Sequence, residues 1–163
     1  MPLRRFPKGG RLLSQIRLEI ESDLSSVCLM AMAVNKICVF YGMDELEAYQ
    51  VELCVSEAAT NAILHAYEGR PGHPVSLLVS AGRDALVLEC ADSGKPMDTH
   101  QVNRVTATSP MKPEGELLRE GGRGLEIIRG IMDAVSYVTN GESNLLSMVK
   151  RLNNRRFIES GAQ

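Results

Sequence analysis

Apolar and polar residues change their spacing several times along the chain, and each change predicts a different element. Residues 14–21 alternate between the two classes, which is the period of a half-buried strand. From Asp23 to Tyr41 apolar residues recur every three or four positions, so we expect a helix that Ser22 caps and Gly42 ends. The residues predicted for its buried face are Leu24, Val27, Cys28, Met30, Ala31, Val34, Ile37 and Cys38.

A second helix is predicted from about Asp44 to Tyr67. Asp44 and Glu47 have the spacing of a capping box, and Gly69 follows the last apolar turn. The second half of this helix is apolar on almost every side, so we expect it to be covered on more than one side and to lie across a sheet.

The rest of the chain predicts two strand pairs separated by a long loop and a short helix. Strands at 75–80 and 85–91 are joined by a Gly-Arg-Asp connection typical of an antiparallel hairpin. The segment 95–121 has little periodicity, which is typical of a functional lid or a disordered loop. A helix and two strands, at 134–140 and 145–152, complete the pattern. The order β-α-α-β-β-lid-α-β-β predicts an α+β fold, a two-layer sandwich with helices on one face of a mixed, mostly antiparallel sheet.

Length and composition limit the class of protein. The 163 residues can enclose one core, and 44% hydrophobic with 23% charged residues is the balance of a globular domain. We expect a flexible leader at 1–11, one domain at 12–152 and a polar tail at 153–163. A formal net charge of −2 gives no general attraction to nucleic acid, and we find no secretion signal or membrane span. These features predict a cytoplasmic protein that binds neither nucleic acid nor membrane.

The four cysteines, Cys28, Cys38, Cys54 and Cys90, lie among apolar residues without a Cys-x-x-Cys spacing. This pattern favours buried reduced thiols over disulfides or a zinc site. The three histidines do not supply a metal-binding spacing either.

Glu57 and Asn61 are the most informative polar residues of the second predicted helix. They lie one turn apart, and His65 continues the same stripe. Burying a carboxylate and a carboxamide is costly unless a ligand satisfies them. A carboxylate can take a proton from a hydroxyl, and an amide oxygen is a suitable ligand for magnesium. The pair therefore predicts half of a magnesium-nucleotide site, and hydrogen bonds to neighbouring residues are the alternative.

Two glycine-bearing motifs follow. Asp92-Ser-Gly94 ends a buried strand, where the carboxylate can accept a hydrogen bond from an exocyclic amine and the glycine lets a flat ring approach; an ordinary turn is the alternative. The Gly-Gly-Arg-Gly run at 121–124 opens a helix, where free N–H groups and Arg123 favour polyphosphate; a flexible hinge is the alternative. Neither the P-loop nor the Rossmann fingerprint occurs.

In this order the motifs resemble the Bergerat ATP-binding fold shared by DNA gyrase, histidine kinases and mismatch-repair ATPases. Glu-x-x-x-Asn on a long helix is followed by Asp-x-Gly after a strand, a lid and Gly-Gly-Arg-Gly-Leu. The segments 56–67 and 148–152 are similar in particular to the bacterial anti-sigma-factor serine-protein kinases. The likeness covers residues 14–152 and implies an ATP- and Mg²⁺-dependent serine-protein kinase in a partner-switching module. It also implies an anti-anti-sigma protein as substrate, a sigma factor as a further partner, and a homodimer.

The resemblance implies a role for each matching residue. Glu57 is expected to be the general base that activates a serine hydroxyl, and Asn61 to bind Mg²⁺. Asp92 is expected to hold the adenine amino group, and Gly94 to give the ring room. The residues expected to receive the nucleotide phosphates or to line their site are Gly122, Arg123, Gly124 and Leu125.

Two stretches depart from the family pattern. Lys-Pro-Met at 95–97 stands where relatives often have glycine or Pro-Pro-Phe, and Asn144, Leu145 and Ser147 lie where a threonine commonly helps to hold adenine. These departures keep a second hypothesis open, a nucleotide-gated binding module with little or no kinase activity. A third, the catalytic half of a histidine kinase, lacks the phosphoacceptor helix pair that precedes such domains.

Overall fold

A five-stranded sheet with three helices packed against it forms the domain, which the computed structural model describes over residues 12–98 and 123–152. The strands are β1 (Leu12–Glu21), β2 (Pro74–Gly82), β3 (Ala85–Asp92), β4 (Ala134–Thr139) and β5 (Asn144–Arg151). The helices are α1 (Leu24–Phe40), α2 (Glu45–Asn61), which a π-helical turn (Ala62–Ala66) extends, and α3 (Gly124–Ile131). This architecture confirms the predicted α+β sandwich.

The strands follow the order β1-β2-β3-β5-β4 across the sheet. Each of the four strand pairs is antiparallel, so between residues 12–98 and 123–152 the sheet has no parallel pair. In the central pair, Asp92 at the end of β3 lies opposite Asn144 at the start of β5. The register therefore brings a predicted site residue next to a polar residue 52 positions away.

The helix starts show which capping predictions hold. The backbone N–H of Glu47 donates to Asp44 Oδ1 at 2.8 Å, and the N–H of Asp44 donates to Glu47 Oε2 at 3.4 Å, so the predicted capping box of α2 is confirmed. Ser22 was the wrong residue for α1, because Asp23 is its cap. Ser22 is buried instead, and its hydroxyl donates to the carbonyl of Arg70 at 2.6 Å.

The core lies between the sheet and the helices, and α1 buries most but not all of its predicted face. Val27, Val34 and Cys38 are buried as expected, whereas Leu24 is 49% exposed and Cys28 faces solvent, so the prediction was wrong for those two residues. All four cysteines are free thiols. Burial raises the pKa of the three buried ones, Cys38, Cys54 and Cys90, to about 12.

The long second helix ends at the predicted place but not in α-helical form. The N–H of Tyr67 donates to the carbonyl of Ala62 at 2.9 Å, which is the i→i+5 bond of a π-turn. His65 lies in this turn and is exposed, whereas Glu57 and Asn61 are half-buried. That His65 points the same way as those two residues stays a prediction.

Helix α3 is short and is closed at its carboxyl end by a side chain from β5. Lys150 Nζ donates to the carbonyl of Ile131 at 2.9 Å, a favourable place for a cation near the negative end of a helix dipole.

The predicted leader, the tail, Gly121, Gly122 and most of the predicted lid lie outside the described residues. Among the helices that the structure describes, none has both the length and the apolar character needed to cross a membrane.

Candidate functional site

Glu57, Asn61 and Gly124 meet where the middle of α2 faces the start of α3. A methyl group on Gly124 would overlap Glu57 Oε2, and it would lie 3.3 Å from Glu57 Cδ and 3.4 Å from Asn61 Nδ2. The backbone at the start of α3 therefore lies directly against both polar side chains. Three residues from two separate sequence motifs thus form one cluster, and only glycine fits the position at 124 without displacing the carboxylate.

Asn61 is the buried polar group of this cluster that is left unsatisfied. Its Nδ2 atom is buried and has no hydrogen-bond partner among the residues that the structure describes. An unpaired buried amide costs about 1–3 kcal/mol, so a ligand at this point would remove a penalty that the protein otherwise carries. A half-turn of the side-chain amide places the oxygen where Nδ2 lies, and an amide oxygen suits magnesium.

The other residues of the glycine-rich motif have different surroundings. Arg123 is exposed, and its carbonyl accepts a hydrogen bond from the N–H of Ile127 at 2.9 Å in the first turn of α3. Leu125 is half-buried and packs against the hydrophobic core. An exposed guanidinium at a helix start can reach an anion, whereas the contribution of Leu125 is to seat the helix. Phosphate binding by these residues stays a prediction.

Asp92 is the centre of a second cluster, at the end of β3. Its Oδ1 accepts a hydrogen bond from the N–H of Gly94 at 2.9 Å and another from Asn144 Nδ2 at 2.7 Å. Burial raises the pKa of this carboxyl, and the two hydrogen bonds act in the opposite direction because they favour the charged form. Neither bond involves Oδ2, for which no hydrogen-bond partner is found between residues 12–98 and 123–152.

Gly94 makes room for the protein backbone rather than only for a ring. A methyl group there would overlap the carbonyl oxygen of Ala66, in the π-turn, and would lie 2.8 Å from Ala66 Cβ. The next N–H, that of Lys95, donates to the same Ala66 carbonyl at 2.8 Å. The glycine therefore lets the loop after β3 pack on the end of the long helix. This contact could not be predicted from the motif alone.

Two tyrosines that the sequence reasoning did not select hold this loop. The hydroxyl of Tyr67 accepts from the N–H of Ser93 at 2.8 Å and donates to the carbonyl of Pro74 at 2.7 Å. The hydroxyl of Tyr137, on β4, accepts from the N–H of Met97 at 3.0 Å. Their only sequence signal was a polar tip on otherwise apolar segments. They anchor both sides of the Asp92 loop.

The side chains that could serve as ligands determine how Mg²⁺ could be bound. Between residues 12–98 and 123–152 no group of three His, Cys, Asp or Glu side chains is placed to enclose a metal ion. Mg²⁺ commonly takes one or two protein ligands and completes its shell with substrate phosphates and water. The unpaired amide of Asn61, next to the start of α3, fits that mode of binding.

Comparison with known proteins agrees with this arrangement. Residues 20–150 match the histidine kinase-like ATPase domain family. The serine-protein kinase RsbW of Bacillus licheniformis is 35% identical over 118 residues, which are 71% of this chain and 71% of that protein. The protein of the same name from Bacillus subtilis (strain 168) is 34% identical, with the same coverage of both chains. That from Oceanobacillus iheyensis is 32% identical over 83% of this chain and 85% of its own length.

Proposed function

The chain belongs to the histidine kinase-like ATPase domain family, in the group of the RsbW serine-protein kinases, and from this we propose that it is an ATP- and Mg²⁺-dependent serine-protein kinase. We propose further that it acts in the cytoplasm as an anti-sigma factor, with an anti-anti-sigma protein as its substrate and a sigma factor as its second partner. The observation that carries the proposal is the cluster of Glu57, Asn61 and Gly124, because it brings together a carboxylate that can act as a base, a buried amide that lacks a partner and the backbone at the start of α3.

Each residue has a distinct task in this reaction. Mg²⁺-bound ATP supplies the γ-phosphoryl group and part of the charge neutralisation. Glu57 accepts the proton of the serine hydroxyl while the serine oxygen bonds to phosphorus and ADP leaves. Asn61 would hold Mg²⁺ when the metal is bound, and Asp92 would accept a hydrogen bond from the adenine amine. Phosphoryl transfer depends mainly on alignment and charge stabilisation, so a cluster of prealigned groups is what the chemistry requires.

The direct test is transfer of phosphate to a partner. The purified full chain is incubated with ATP, Mg²⁺ and an anti-anti-sigma protein from the same genome that has first been shown to bind it. We expect one serine of that partner to gain a phosphate, detected by mass spectrometry, and the transfer to stop when EDTA removes Mg²⁺. A verified partner that binds but is never phosphorylated would contradict the kinase proposal and favour the binding-module hypothesis.

Replacing Asn61 with leucine is expected to separate metal binding from folding. Leucine has the same branched arrangement of four side-chain heavy atoms, with bulkier methyl groups, and removes the buried amide that lacks a partner. The free energy of unfolding without ligand should therefore not fall, and it should rise by up to about 1 kcal/mol. The gain in ATP affinity that Mg²⁺ provides should disappear, because the metal loses its protein ligand. Urea unfolding and ATP titrations with and without Mg²⁺ measure the two effects.

The matched control is Thr60→Val, a half-buried neighbour on the same helix that is not part of the cluster. It should leave the Mg²⁺ dependence of ATP binding unchanged. If Asn61→Leu lowered stability and kept the full Mg²⁺ effect, Asn61 would be a structural residue and the proposed metal role would be wrong.

We propose that the chain forms a homodimer through the outer edge of β1. No strand among the described residues pairs with that edge, which leaves a row of backbone groups open. If two copies of β1 pair antiparallel about Leu18, Arg17 of each copy lies opposite Glu19 of the other. Ile16 then lies opposite Ile20 on the other face. Opposite charges and apolar pairs across strands each stabilise such a ladder.

A charge exchange tests this dimer. Arg17→Glu should weaken the dimer, since it places two acidic residues opposite each other at two symmetric positions. Arg17→Glu combined with Glu19→Arg should restore it, which a general loss of stability could not do. Sedimentation over a range of concentrations measures both. A monomeric wild type, or a double variant no better than the single one, would overturn the proposal.

A further inference from the structure

Asn144 is a buried side chain that connects the carboxylate of Asp92 to the loop that follows it. The residue is 2% exposed and lies opposite Asp92 in the β3–β5 register. Its Nδ2 donates to Asp92 Oδ1 at 2.7 Å and to the carbonyl of Gly94 at 3.0 Å. With the N–H of Gly94 also bonded to Oδ1, the same three residues form a closed hydrogen-bonded unit.

This unit restrains Asp92 in two ways. Two donors on Oδ1 fix the direction in which the carboxylate points, so that Oδ2 is the oxygen left for a ligand. A hydrogen bond to a half-buried carboxylate such as that of Asp92 is also stronger than one between neutral groups, and it favours the charged form. Because the Nδ2 group also holds the carbonyl of Gly94, a shift of the loop and a rotation of Asp92 are coupled.

We propose that Asn144 is a positioning residue that selects adenine over guanine by holding Asp92 as a charged, fixed hydrogen-bond acceptor. The proposal rests on the proposed function, since it takes Asp92 as the residue that meets the base. Adenine presents an amine donor at the ring position where guanine presents a carbonyl oxygen. A carboxylate can only accept, so it pairs with the amine and repels the carbonyl. A protonated carboxyl can donate, and it would tolerate guanine.

The surroundings of Asp92 allow its protonation to be followed. The groups that face it are Tyr67 at the end of the long helix, Tyr137 on β4 and Cys90 on β3, and Lys95 follows in the same loop. Burial raises the pKa of both tyrosines and raises that of Cys90 to about 12, so these three stay neutral below pH 8. Among them and Asp92, the carboxyl is the group whose charge changes in acid.

Acid should weaken the binding of ATP. Binding of ATP requires the charged form of Asp92, so affinity falls as the pH drops through the pKa of that carboxyl. The hydrogen bond from Asn144 lowers this pKa, against the effect of burial. Removing it raises the pKa, so the loss of ATP affinity should set in at a higher pH than in the wild type.

The test compares the full-length wild type with Asn144→Leu, Asn144→Ser and the control Ser80→Ala. Ser80 is another buried polar residue of the sheet, on β2, where its hydroxyl accepts a hydrogen bond from Gln15 Nε2 rather than bonding to Asp92. Dissociation constants for ATP and GTP are measured between pH 5.5 and 8 by displacement of a fluorescent adenine nucleotide. We expect both Asn144 variants to bind ATP roughly tenfold more weakly, as expected for one lost hydrogen bond to a charged group. Their preference for ATP over GTP should shrink, and their pH profile should move to higher pH.

The outcomes separate this proposal from the proposed function. If the wild type binds no ATP, both fail together. If the wild type binds ATP and the variants keep its ATP/GTP ratio and pH profile, only the role of Asn144 is overturned. An equal loss for both nucleotides with an unmoved pH profile would also overturn it, because a merely structural residue gives that pattern. The serine variant needs less space than asparagine, and melting curves verify that each variant is folded.

Discussion

Replacing Glu57 with glutamine is expected to slow phosphoryl transfer roughly 10²- to 10⁴-fold, the usual contribution of a positioned general base. Glutamine keeps the size of the side chain and its place against Gly124 but cannot take the hydroxyl proton. ATP affinity should change little, since Asp92, the proposed adenine contact, and Asn61, the proposed metal ligand, are untouched. The rate of transfer is measured in single-turnover experiments that follow formation of the phosphorylated partner. ATP affinity is measured in a separate titration.

The control is Glu52→Gln, which removes a half-buried carboxylate from the same helix outside the cluster. It should transfer phosphate at the wild-type rate. Glu57→Gln also distinguishes the two functional hypotheses. A kinase-driven switch should remain locked on one partner when transfer stops, whereas a nucleotide-gated binding module should keep both its partner affinity and its output. Unchanged transfer in Glu57→Gln would remove Glu57 from the reaction.

Gly124→Ala is expected to lower the rate of transfer about 10²-fold, the scale of a misplaced catalytic group, without unfolding the protein. The new methyl group would overlap Glu57 Oε2 and would crowd Asn61 Nδ2 at 3.4 Å, so the carboxylate has to move away from its present position. Alanine is a better helix former than glycine, so α3 itself should tolerate the change. Rates and melting temperatures are measured on the same preparations.

Gly130 provides a matched control within the same helix. A methyl group at that position meets no atom within 4 Å. Gly130→Ala should therefore stabilise α3 by up to about 1 kcal/mol and leave the transfer rate unchanged. If both substitutions had the same effect on the rate, the contact between Gly124 and Glu57 would not be the cause, and the proposed geometry of the site would be wrong.

Local sequence patterns predicted most of the fold. The errors occur where contacts between residues far apart in the sequence determine the local structure. The capping box of α2 depends on two residues three positions apart, so its pattern could be recognised from the sequence. Ser22 was a wrong cap because it forms hydrogen bonds with Arg70 and His73, about 50 positions away. The π-turn at 62–66 depends on how the helix end meets the loop after β3, and no spacing in the sequence encodes that contact.

The motifs of the candidate site could be predicted from the sequence, whereas the contacts between its residues could not. Glu57 and Asn61 could be identified from the sequence because burying polar groups on an apolar helix is costly unless a ligand satisfies them. The structure brings Gly124 into contact with both. In the sequence, Asn144 differs from the threonine that relatives commonly have in this region, but nothing there indicates its partner. Its hydrogen bond to Asp92 results from the register of β3 and β5. Tyr67 and Tyr137 were missed since a tyrosine hydroxyl gives no sign of its partner.

The uneven burial of the four thiols gives the molecule a ready attachment point for a reporter dye. Cys28 lies on the solvent side of α1, and the other three are buried with pKa values raised to about 12, so they stay protonated and unreactive at neutral pH. A maleimide fluorophore should therefore label one defined position without any cysteine being removed. Energy transfer between copies that carry a donor and an acceptor dye would then test, on the unaltered sequence, whether two copies associate as proposed.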